Sequence, residues 1–133
     1  MKYTETIDTS HELATGLHDL HKESNQWLHS IYEWEKESYA MIKRAEKIKA
    51  SREVMKEIRK IANGLSLLNS LFDKLYSDIS QHKHSLFLLL KETRPDEEAY
   101  RAKHELLKER FRAEEDHFRD LGREMFKMEE AAY

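Results

Sequence analysis

The chain has 133 residues, of which 39% are hydrophobic and 37% charged, with a formal net charge of −3. Three glycines, one proline and no cysteine are too few turn residues for a sheet protein, and they leave no thiol for catalysis, disulfides or thiolate zinc sites. The slightly acidic balance lacks the basic excess typical of nucleic-acid binders.

This length suits one helical-bundle domain over residues 1–133 with its own core. The first segment, MKYTETIDTSHELATG, has no apolar h-region, which predicts a cytoplasmic rather than a secreted protein. Thr9 or Ser10 suits the N-cap of a first helix over about 10–48, because a short hydroxyl accepts a free first-turn amide. Its inward stripe steps alternately by four and three residues. It runs through Leu13, Leu17, Leu20, Ser24, Trp27, Ile31, Trp34, Ser38, Met41, Ala45 and Ile48. Leu28, Ile42, Tyr32 and Tyr39 widen it, so the helix is expected to face two neighbours.

The second stripe is Val54, Ile58, Ile61, Leu65, Leu68, Phe72, Leu75, Ile79, His82, Leu86 and Leu89. It is out of phase with the first, and Ser51 can cap its start, which predicts a turn near 48–52 and a helix over about 52–92. The stripe passes unshifted through Asn63-Gly64, so Gly64 is expected inside the helix at a close approach, at about 1 kcal/mol against alanine. Thr93-Arg94-Pro95-Asp96 then breaks the chain and starts a third helix over about 96–130. Its stripe is Tyr100, His104, Leu107, Phe111, Glu114, Phe118, Leu121, Met125 and Met128. Short connections between long helices predict an all-α, elongated up-down-up antiparallel three-helix bundle with coiled-coil-like packing.

In such a bundle residues at equal height can be paired from the turns. His82 then lies level with about residue 18 on the first helix and about residue 106 on the third. His82, His104 and either His21 or His18 are expected near one another. Three neutral imidazoles suit a divalent metal such as zinc, but the preferred reading is a hydrogen-bonded polar layer that sets register. On that reading His82→Leu is neutral or stabilising. Titration of the group as a pH switch is the third possibility. Glu114 is a charged residue on a seam, with Lys74 and the Trp27 indole as its expected partners. Glu114-x-x-His117 has the spacing of a di-iron bundle ligand pair, but the second such motif and the glutamates of the other helices are missing. No nucleophilic triad or phosphate loop is present, so no catalytic residue and no bound cofactor are expected.

Two surfaces stand out. Residues 43–60 hold eight Lys and Arg against three Glu, but no aromatic interleaves them for base stacking. A solvated face laced with local ion pairs is expected there. Leu86-Phe87-Leu88-Leu89-Leu90 turns through more than one helical turn, so Phe87 and Leu88 must meet something outside the core. Either Tyr3 and Ile7 fold over them, or they form a self-association or partner-binding interface.

Leu20-His21 followed by Gln26-Trp27, and the Gln81-His82-Lys83-His84 segment, resemble small uncharacterised bacterial helical-bundle proteins. The likeness spreads over most of residues 15–128 and implies the helical fold and chain order, with no activity attached. The expected function is therefore non-enzymatic, through protein–protein contact or self-association. The alternative is a metal-binding bundle using His21, His82 and His104.

Overall fold

A computed structural model describes the backbone of residues 11–91 and 96–132, and side chains from Gly16 onward within those limits. Three helices account for nearly all of it: α1 (His11–Glu46), α2 (Arg52–Leu90) and α3 (Glu97–Ala132). Each packs against both others, with the tightest packing along α2. No strand occurs among the described residues, and no helix there is long and apolar enough to cross a membrane. Thr9, Ser10, Tyr3, Ile7 and the Thr93-Arg94-Pro95 break lie outside the described residues.

The turn between α1 and α2 forms where the phase slip places it. Ser51 has an extended backbone (φ −61°, ψ 160°), and its hydroxyl accepts the Val54 amide at 3.3 Å. A side-chain acceptor at this position satisfies one of the four amides that an α-helix leaves open at its start. On the far side of the chain break Asp96 does the same for α3, accepting the Ala99 amide at 3.0 Å. Glu97 and Glu98 follow in the first turn of α3, where carboxylates complement the positive end of the helix dipole.

The stripes are the core. Every α2 stripe residue from Ile58 to Leu89 is buried. On α1, Leu17, Ser24, Trp27, Ile31, Ser38 and Ala45 are buried, as is Ile48 in the turn after it, and on α3 so are Tyr100, His104, Leu107, Phe111, Phe118 and Met125. Gly64 lies inside α2, as its unbroken stripe requires. A Cβ there would stand 3.3 Å from a Leu121 methyl, so the missing side chain lets α3 approach. Along α2 and α3 the partners run in opposite order: Gly64 meets Leu121, Asp78 meets Arg110, and His82 meets His104.

Between α1 and α3 five rings form one column. His104, Trp27, Phe111, Trp34 and Phe118 alternate between the two helices, with centroids 4.5, 5.6, 5.0 and 5.9 Å apart and planes inclined by 26–29°. Offset stacks of this kind add to simple area burial. They also hold α1 and α3 at ring width, while the smaller aliphatic residues of α2 let it sit closer to both. The column sets the height of α1. Trp34 packs on Phe72, with centroids 5.6 Å apart, whereas the register that sets His82 level with about residue 18 would set Trp34 level with Ser66.

Candidate functional site

The column ends at a polar cluster. His104 is fully buried and His82 nearly so, both on stripe positions that face the neighbouring helices. His82 Nε2 lies 3.0 Å from His104 Nδ1, and His104 Nε2 lies 2.7 Å from Glu23 Oε1. A carboxylate only accepts, so His104 Nε2 carries a proton and donates it to Glu23. In the neutral ring His104 Nδ1 is then a lone pair, and the His82 Nε2–H donates to it. With both rings neutral the network fits one tautomer of each. Glu23 Oε2 also lies 3.6 Å from Lys108 Nζ.

Aromatic faces close the cluster. Tyr100 stacks on His82 with centroids 4.2 Å apart, and Trp27 stacks on His104. Burial, then the nearness of His104 and Lys103, lowers the His82 pKa to about 4, so this ring is neutral near pH 7. Burial pushes the Tyr100 phenol up to about 12. Above His82 a surface cavity of about 350 Å³ opens between α2 and α3, with Ser85, Leu88, Ala99 and Lys103 in its wall.

Of the imidazoles expected together, His82 and His104 meet, and Glu23 holds the place given to His21 or His18. The six-residue difference in the height of α1, seen at Trp34 and Phe72, raises Glu23 to the level of His82 and carries the two histidines past it. His21 is buried elsewhere, edge-on to Phe87 at 5.9 Å, with its pKa lowered by burial and then by Lys83 and His18. His18 is exposed. Among the described residues no three His, Asp or Glu side chains form a group that could hold a metal ion. Both nitrogens of His104 and one of His82 are engaged in hydrogen bonds. Glu23 escaped the sequence reading because it sits one residue before the stripe position Ser24. Its one available signal was an acidic residue at the edge of the seam, with Lys108 as a cation on the facing helix.

Two further carboxyls are held out of their ordinary range. Glu114 Oε1 is buried with no hydrogen-bond partner, so neither Lys74 nor the Trp27 indole serves it as expected. Burial raises its pKa to about 7, against the opposing charge of Arg110. Glu35, at the α1–α2 boundary, is also raised to about 7 by burial, a hydrogen bond to Asp73 and the Asp73 charge.

The pair Phe87 and Leu88 divides. Phe87 turns to the α1 side and is partly covered against His21. Leu88 turns to the α3 side and is exposed. It shares that side with Leu67, Leu71 and Leu106. Seven-residue spacing places Leu71 in line with Asp78, and places Leu67 and Leu88 on one line three repeats apart. Leu106 precedes Arg110, the partner of Asp78, by one turn. These leucines are 71% (Leu67), 48% (Leu71), 52% (Leu88) and 59% (Leu106) exposed.

At the opposite end Arg44 pairs with Glu129 at 3.0 Å. A groove of about 640 Å³ there is lined by Arg44, Lys47, Ile48, Phe126, Glu129 and Glu130.

No family model, no curated protein and no solved structure matches this chain.

Proposed function

We propose that this protein works by self-association, as a non-enzymatic helical-bundle module whose contact surface is the α2–α3 face. The observation that carries this reading is the exposure of four leucines, Leu67, Leu71, Leu88 and Leu106, which the helical period sets toward one side of the bundle. Scattered single leucines on a surface are ordinary, whereas several on one face mark a contact surface. Covering a half-exposed leucine recovers roughly 1 kcal/mol of the value of full burial. The histidine cluster fits a structural role within this reading, because both nitrogens of His104 and one of His82 are taken up by hydrogen bonds within it.

Light scattering and sedimentation of the full chain over micromolar to millimolar concentrations test it. The wild type is expected to gain mass with concentration. The Leu67→Ser/Leu71→Ser double variant is expected to remain a monomer with an unchanged helical circular dichroism spectrum. A wild-type protein that stays monomeric throughout overturns the reading.

A further inference from the structure

We infer that the second copy docks on this face about a two-fold axis running along the helices, so that Asp78 of each copy meets Arg110 of the other. The inference rests on the self-association reading above and adds the arrangement of the partner.

The face has an ion pair at its centre and exposed leucines on either side of it, with Lys103 and Asp96 beside the upper one. Asp78 and Arg110 bridge α2 and α3 at 2.8 Å, with both side chains roughly a third exposed. Leu67 and Leu71 lie below them, and Leu88 lies above them beside the cavity at Ala99. A two-fold axis parallel to the helices sets α2 of one copy opposite α3 of the other and leaves every residue at its own height. Asp78 then faces Arg110 of the second copy. Each acid gains a second base, and the two ion-pair dipoles oppose each other in direction, which is attractive. A two-fold axis across the helices would instead stack Asp78 on Asp78 and Arg110 on Arg110, aligning the dipoles side by side in repulsion.

Packing is compatible with the same choice, although the crosswise axis would pair Leu67 with Leu88. Leu88 is level with Ala99, so the axis along the helices lays each Leu88 on the small Ala99 of the other copy, over the 350 Å³ cavity. Leu71 is level with His117, one turn from Ala113, which again sets a leucine near a small residue. The four helices α2, α3 and their two counterparts would close a second layer of side chains outside the core, with neighbours alternating in direction. Such an isologous contact uses one patch twice and stops at two copies. Association leaves the Glu23–His104–His82 network untouched beneath the interface.

Reversing one charge tests the arrangement. Asp78→Arg places only bases at the centre and Arg110→Asp only acids, so each variant alone is expected to weaken dimerisation by about tenfold or more. Mixed in equal amounts, they oppose bases with acids and are expected to restore dimers as heterodimers, detected by sedimentation or by mass spectrometry with one partner isotopically labelled. Circular dichroism melts of each variant check folding, since the pair is a partly exposed surface bridge of small stabilising effect. If the leucine variants abolish dimers but the two charge variants dimerise as well alone as mixed, the two-fold arrangement is overturned while the contact face stands. If the leucine variants dimerise like wild type, the face itself is wrong. Because the chain has no cysteine, Leu67→Cys mixed with Leu88→Cys gives a clean orientation check. A disulfide between those two sites requires the crosswise axis and overturns the inference.

Discussion

His82 Nε2 stands 3.0 Å from His104 Nδ1 at a buried end of the bundle, so each ring satisfies the other's polar atom. Neither can be replaced singly by a hydrocarbon without leaving a buried polar atom of its neighbour without its partner.

His82→Leu is therefore expected to destabilise the protein by about 1–3 kcal/mol, because the fully buried His104 loses its donor. This reverses the neutral or stabilising outcome expected from the sequence for a polar layer. The double variant His82→Leu/His104→Leu is expected to recover much of the loss, since both buried polar groups go together. Urea unfolding at pH 7.5 measures both. A single variant as stable as wild type would show that the hydrogen bond contributes nothing net.

Acid should loosen the same end. His82 titrates near its ordinary 6.5 when unfolded but near 4 when folded, chiefly through burial. The unfolded chain therefore binds the proton first. The stability that rests on neutral His82 is complete above pH 6.5 and is lost as pH falls from 6.5 toward 4. Unfolding free energies across that window should decline more steeply in wild type than in His82→Leu. Equal slopes would assign acid sensitivity to other groups.

Glu114 acts with the opposite sign. Its folded value near 7 lies above the ordinary 4.5 because burial disfavours the charge. Its favourable contribution is present below pH 4.5 and fades as pH rises through 7. Glu114→Gln is expected to stabilise the bundle by roughly 1–2 kcal/mol at pH 8 and by little at pH 4.5. Thermal melts at the two pH values decide this, and a variant destabilised at pH 8 would mean that the carboxylate has a compensating partner.

Gly64→Ala sets helix propensity against close packing. Alanine favours the helix by about 1 kcal/mol, while its Cβ would stand 3.3 Å from a methyl of the half-buried Leu121. A methyl at the end of a flexible side chain can give way by a few tenths of an ångström, so a net gain of about 0.5 kcal/mol is expected. A loss on urea unfolding would show that Leu121 is pinned.

The three helices, their buried faces and the Ser51 cap were legible in the amino-acid sequence. The alternation of four and three residues is a property of each helix by itself, and a phase slip marks a turn without reference to anything distant. Gly64 was placed correctly on the same basis, because the stripe ran through it. The meeting of His82 and His104 was also legible, since Asp78, His82 and their α3 partners follow directly from a short connection.

Which first-helix residue would join them was decided by packing. Long rings lean toward the start of their own helix, which is away from the turn on α1 and toward it on α2. These two leans let Trp34 pass Ser66 and settle on Phe72. That axial shift exchanged a histidine for Glu23 at the cluster. It is set by how bulky side chains fit across a gap, a quantity no single helix contains. The parting of Phe87 from Leu88 has the same origin: the local pattern shows that both leave the core stripe, and only the positions of α1 and α3 determine that one is covered and the other faces water.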